Sequence, residues 1–168
     1  MLFRSKISEI QDAEKEYTGS FFIGATTESH DMEREVNERF ETGHITTELI
    51  HQTAKEFLGE QMQTPPAHSA VRVNGKRAYE LARAGKEVVI EPKKIVIKEF
   101  EITSVEMPQV YFRIVCSKGT YIRSLAYDFG KKLKSGAFLS SLIRTRIGNY
   151  LLKDAVSPVE FISTLSSK

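Results

Sequence analysis

The run Ser117-Lys-Gly-Thr-Tyr-Ile-Arg123 sets two cations, two hydroxyls and a phenol where an apolar stretch gives way to a helical pattern. A helix start offers free backbone N–H groups and the positive end of the dipole, so the run can hold a phosphate or a carboxylate. Gly119 permits a sharp junction, Thr120 is placed to cap the helix, Lys118 adds a cation, and Arg123 falls on the first turn. An ordinary capped helix with a solvated Lys and Arg fits the same pattern. A second run, from Pro65-Pro66 to Gly85, joins a proline corner to the turn dipeptide Asn74-Gly75 and then to a helix bearing Tyr79 and Arg83. Lys76 and Arg77 lie just past the turn, where they can grip a nucleic-acid backbone or simply solvate a hairpin tip. Tyr17, in Lys15-Glu-Tyr17, opens an apolar strand, where an aromatic either packs in the core or stacks on a base.

Other chemistries find no residues to carry them. His30, His44, His51 and His68 form no i,i+4 pair and have no acidic helper at metal spacing, so no metal is expected. There is no Walker loop or dinucleotide glycine pattern, and no cofactor is expected. The single cysteine, Cys116, excludes an internal disulfide framework and sits in an apolar run that suits a packed thiol. No secretory leader and no apolar stretch of membrane length is present, so a cytoplasmic protein with no membrane partner is expected.

Charge singles out one half of the chain. Across 168 residues the net charge is +2, yet residues 1–62 hold six Lys/Arg against thirteen Asp/Glu. Residues 72–98 hold eight Lys/Arg against three acids, and residues 113–146 eight against one. Clustered cations of this kind suit a polyanion, because phosphate contacts release counterions.

The elements that must position these residues follow from periodicity. Residues 1–13 read as a helix, 15–25 as a strand ending at Gly24, and Thr26 to Gly43 as an acidic connection. Thr46/Thr47 cap a helix to Leu58, Glu60–Thr64 is extended, and Ser69–Val73 is a short strand before a helix over 78–84. Val88–Ile90, Lys94–Val105 and Val110–Ser117 read as strands, and Thr120–Leu133 as an amphipathic helix with Ile122, Leu125, Ala126, Phe129 and Leu133 inward. Phe138–Thr145 is a strand or irregular core segment, and Ser157-Pro158 opens a last helix. Long strands with segregated helices give an α+β fold.

In this order and register the segments closely resemble the tRNA pseudouridine synthase B (TruB) family, over essentially the whole chain. The resemblance rests on Lys15-x-Tyr17, Gly24-Ala-Thr-Thr27-x-Ser29-x-Asp31, the Pro65-Pro66 to Gly85 block, Cys116 to Arg123, Gly136-Ala137 and Leu142-x-Arg144-Thr-x-x-Gly148. His68 stands where an aromatic is common, and Glu33-Arg34 where a glycine often follows the Asp. The resemblance implies a mixed, mostly antiparallel sheet flanked by helices, with a basic hairpin and helix inserted. It implies isomerisation of a T-loop uridine, position 55 of tRNA, to pseudouridine. Tyr17 would stack on the flipped uracil, Tyr121 and Leu142 would line the pocket with Lys118 beside them, and Lys76, Arg77, Arg83 and Arg144 would meet the T-arm backbone.

The family nucleophile is an aspartate in a Gly-x-Leu-Asp-Pro stretch, and none of Asp12, Asp31, Asp128 or Asp154 precedes a proline. The 168 residues therefore look like the C-terminal two thirds of a synthase catalytic domain, with no C-terminal PUA module. By resemblance Arg123 pairs with that missing aspartate. Arg123 is then expected to lack a partner, so that Arg123→Met stabilises the chain or leaves it unchanged. Catalytic inactivity of the chain is expected too. The rival readings are a non-catalytic RNA-binding module, such as a tRNA-folding chaperone, and a structural fragment with no role of its own.

Overall fold

In a computed structural model, which describes residues 3–73, 75–85 and 89–166, alternating apolar residues build one antiparallel sheet. The elements run α1 (Phe3–Asp12), β1 (Lys15–Ile23), β2 (Ala25–Thr27), β3 (Val36–Arg39), α2 (Thr47–Glu56), β4 (Gly59–Gln63), β5 (Arg72–Val73), β6 (Lys76–Arg77) and α3 (Ala78–Arg83). There follow β7 (Lys93–Glu106), β8 (Gln109–Cys116), α4 (Ile122–Lys132), β9 (Ala137–Ile147), β10 (Tyr150–Leu151), a 3-10 turn (Leu152–Asp154) and α5 (Pro158–Ser166). Six strands form the main sheet in the order β10-β9-β1-β8-β7-β4, every neighbour antiparallel. The expected α+β class with a mostly antiparallel sheet is observed. No described helix is long and apolar enough to cross a membrane.

The core lies between one face of this sheet and helices α2 and α4. Phe21 of β1 is fully buried and meets Phe112 at 4.4 Å and Phe129 of α4 at 5.6 Å between ring centroids. Phe57 and Phe100 complete the aromatic cluster, so β1, β7, β8 and α4 are locked by shared rings. The predicted inward stripe of α4 is buried throughout. Thr46 caps α2 by accepting the Leu49 N–H at 3.2 Å, and Ser157 and Glu160 form a reciprocal capping box on α5.

Three local readings change. The acidic connection from Thr26 contains a small hairpin, β2–β3, whose second strand is exposed throughout and so carries no apolar alternation. The Ser69–Val73 strand shrinks to Arg72–Val73, because the Ser69 and Val71 carbonyls accept the Tyr79 and Ala78 N–H groups and turn the chain into α3. Of Val88–Ile90, Val88 lies outside the described residues; Val89 and Ile90 form no strand, although Ile90 is buried. Asn74 of the turn dipeptide also lies outside them.

β9 is pressed onto β1 at a bulge between Ser20 and Phe21. Here a Cβ on Gly19 would stand 2.1 Å from the Ser141 carbonyl oxygen and 3.0 Å from the Phe112 ring. Backbone cannot yield as a flexible side chain can. Gly19→Ala is therefore expected to lower stability by about 3 kcal/mol or more, read from urea denaturation against the parent chain.

Candidate active site

Arg123 draws three segments together. Its Nη1 donates to Asp31 Oδ2 at 3.0 Å and to the Ser29 carbonyl at 3.4 Å, and its Nη2 donates to the His68 carbonyl at 3.0 Å. The side chains of Arg123 and Asp31 are 22% and 23% exposed. The expectation that Arg123 lacks a partner is therefore corrected: Asp31 neutralises it within this chain. Arginine keeps its charge under any burial, so a half-buried guanidinium at a helix start needs such a partner.

Asp31 is itself held on every side. Its Oδ1 accepts the Glu33 N–H at 3.0 Å, and its carbonyl accepts the Thr27 hydroxyl at 2.7 Å. Burial pushes the carboxyl pKa up, but the Ser29 hydroxyl, the Glu33 N–H and Arg123 outweigh it, and the carboxyl lies below its ordinary value. Asp31 also bridges Leu139 of β9, whose N–H donates to the His30 carbonyl at 2.9 Å. His30 adopts a left-handed backbone (φ 61°) and stacks on Tyr127 of α4, rings 4.2 Å apart and 4° from parallel. Lys131 sits 4.6 Å from the same Tyr127 ring. Burial first, and the Arg123 charge next, lower the His30 pKa from 6.5 to about 4.

The start of α4 departs from expectation. Gly119 turns with φ 79°, but the Thr120 hydroxyl donates back to the Ser117 carbonyl at 2.9 Å and caps nothing. Tyr121 occupies the cap position. Its N–H donates to Gln63 Oε1 at 2.8 Å, and Gln63 Nε2 returns a bond to the Tyr121 carbonyl at 3.1 Å. The Ser124 hydroxyl donates to the Thr64 carbonyl. The buried Gln63 amide thus straps the β4 end to the head of α4, and Ser124 ties in the segment before the proline corner.

Lys118 points elsewhere: its Nζ lies 2.6 Å from Asp12 Oδ1, both side chains 61% exposed, and it does not line the cleft. That cleft, about 460 Å³, is walled by Tyr121, Arg123, His68, Ser69, Tyr79 and Arg83, with Glu33 across from them. Tyr79 carries two guanidinium groups over its ring, Arg77 at 5.9 Å and Arg83 at 5.6 Å. Lys76 and Arg77 are exposed on β6.

Tyr17, Leu142 and Arg144 meet on a neighbouring part of the sheet. Tyr17 pairs with Arg144 and Gly19 with Leu142 across β1 and β9, so their side chains share one face. Tyr17 packs against the core, and burial raises its phenol pKa, with Arg144 opposing. Leu142 is 41% exposed at the margin of the core. None of the three lines the Tyr121–Arg123 cleft, but β9 serves both groups, since its Leu139 anchors the Asp31 turn. Cys116 is buried, its thiol pushed up to about 11, and has the character of a packed thiol. Sequence reasoning missed the roles of Asp31, His30 and Gln63. The hydroxyl and carboxylate spacing Thr27-x-Ser29-x-Asp31 signals a side-chain-closed turn; nothing in the sequence marks Gln63.

Two outcomes follow from the pair and its support. Arg123→Met is expected to cost about 2–3 kcal/mol in denaturant unfolding, because Asp31 and two carbonyls lose their donor. His30 stays neutral in the native state while the unfolded chain binds the proton. Stability is therefore full above pH 6.5 and falls towards pH 4, the window of its shift from 6.5 to about 4. The loss is about 1–2 kcal/mol after allowance for partial exposure. His30→Asn, which tolerates the left-handed backbone, is expected to flatten that loss in urea titrations compared at pH 7 and pH 4.5.

Residues 5–122 match the family model described as TruB family pseudouridylate synthase, N-terminal domain. A protein of Flavobacterium johnsoniae named tRNA pseudouridine synthase B is 55% identical over 97% of this chain and 71% of its own length. A protein of the same name from Bacteroides fragilis is 49% identical over 93% of the chain and 67% of its own length. Among solved structures, a Cbf5–Nop10–Gar1 complex superposes with a TM-score of 0.61 at 27% identity, over 88% of this chain and 34% of that one. An H/ACA RNP bound to a substrate RNA containing 2′-deoxyuridine gives 0.57 at 25%, over 87% and 32%. The chain belongs to the TruB family of pseudouridylate synthases.

Proposed function

We propose that this chain supplies the RNA-binding and base-lining part of a pseudouridine synthase acting on the T-loop uridine, position 55, of tRNA. The observation that carries the reading is the Arg123 site: a fixed guanidinium at the wall of a cleft bearing Tyr79, Tyr121 and Arg83. The relatives' shared name supports tRNA as substrate, and the RNA-bound neighbour supports an RNA partner. Isomerisation cleaves the glycosidic bond, turns the uracil and rejoins C5 to the ribose. Tyr17 is assigned to stacking on the base, and Tyr121 and Leu142 to shielding it. Stacking offsets part of the few kcal/mol that extruding a base costs. Arg123 uses three N–H bonds and an arginine has five, so it can also receive the nucleophilic carboxylate expected to pair with it.

A non-catalytic RNA-binding module is the second reading, and the state of the four aspartates favours it. Asp12 is paired with Lys118 and Asp31 with Arg123, Asp128 is half-buried with its pKa raised by burial, and Asp154 is exposed in the 3-10 turn. None is in the family nucleophile context, so these residues need a carboxylate from outside them to make pseudouridine.

Incubated with unmodified tRNA, the 168-residue chain is expected to give no pseudouridine above a no-protein control by carbodiimide-directed primer extension. Product well above that control would sink the assignment of the nucleophile. The chain is nonetheless expected to bind tRNA through Lys76, Arg77, Arg83 and Arg144, with affinity falling at least tenfold between roughly 50 and 200 mM salt. A flat salt response would remove phosphate contacts from the reading. Reversing Lys76 and Arg77 to Glu with no loss of affinity would remove the hairpin from the interface.

A further inference from the structure

We propose that Glu33 occupies, in the RNA-free protein, the position at Arg83 that an RNA phosphate takes on binding, and so sets the affinity for RNA. The inference rests on the RNA binding proposed above. Arg83 Nη2 lies 3.3 Å from Glu33 Oε1, closing an ion pair from α3 to the turn after Asp31. Both residues line the cleft that holds Tyr121 and Arg123. The Arg83 head also lies over the Tyr79 ring, which keeps it at the cleft rim. Glu33 is tethered from behind, since its own N–H donates to Asp31 Oδ1. The Glu33 backbone is thereby held in the site turn, while its side chain remains free to leave Arg83 on α3.

Carboxylate and phosphodiester oxygens use the same guanidinium donors, so they compete for Arg83. The pair is 60% and 49% exposed, and such a pair is weak enough for a phosphate backed by other contacts to displace it. The displaced Glu33 regains only a diffuse ion atmosphere as the phosphate loses a condensed cation, so this contact releases less net counterion than one at an unpaired cation.

The test measures binding of an unmodified T-arm stem–loop RNA to the 168-residue chain across a salt series. Glu33→Gln is expected to tighten binding about two- to fivefold at roughly 50 mM salt. It is also expected to steepen the slope of log K against log salt, by less than the roughly 0.7–0.9 of one full phosphate contact. Arg83→Gln is expected to weaken binding, and Glu33→Gln added to it to give no gain. Glu35→Gln makes the same charge change two residues on and is expected to leave the slope unchanged. Far-UV circular dichroism confirms that each exposed-site variant is folded. The proposal is overturned if RNA binds but Glu33→Gln alters neither affinity nor slope. It is overturned equally if the gain persists in the Arg83→Gln background, or if Glu35→Gln matches it, since either outcome reports a general field. If the parent chain binds no RNA, the RNA reading itself fails, a result distinct from these.

Discussion

The site depends on one charge that cannot be given up. Arginine does not shed its charge on burial, and the Arg123 guanidinium lies largely inside the protein. The chain answers with a carboxylate and two carbonyls from segments distant in sequence: Ser29 and Asp31 after β2, and His68 after the proline corner. Those bonds fix how the β2–β3 turn and the proline corner approach α4. The cleft is the space left between them.

Support for this arrangement comes from the sheet. Leu139 of β9 holds the turn from one side, and the stacked His30 and Tyr127 rings hold it from the other. A left-handed histidine is an uncommon backbone state that surrounding structure must impose. Further along the same strand, Leu142 and Arg144 stand opposite Gly19 and Tyr17. A single strand therefore sets the spacing between the charged part of the site and its aromatic part. The acidic and basic halves seen in the sequence meet across the cleft, where Glu33 faces Arg83.

Regular elements were legible because burial imposes a period. The stripe from Ile122 to Leu133, the alternation in β7 and the Thr46 cap each follow from local rules. Tyr121, Arg123 and Arg83 stood out in two separate runs of the sequence, and the fold places them at one cleft. Tyr17 stood out as a strand aromatic and Leu142 only through the resemblance; the two lie together but apart from that cleft. The pairing of Lys118 escaped because its partner Asp12 lies 106 positions away and nothing local announces it. The partner of Arg123 escaped for the same reason, since Asp31 stands 92 positions earlier. The β2–β3 hairpin escaped because polar, exposed strands carry no hydrophobic alternation.

The paired bonds between the Gln63 amide and the Tyr121 backbone have a dynamic consequence. Gln63 ends β4, which among the described residues is an edge strand bonded only to β7, and edges open more readily than centres. Its side chain reproduces for Tyr121 the two-way exchange of bonds that adjacent strands make with each other. Strand edge and helix start are thereby joined into one cooperative unit. The Tyr121 amide proton would exchange with solvent at the rate set by the sheet margin, not by fraying of the helix itself.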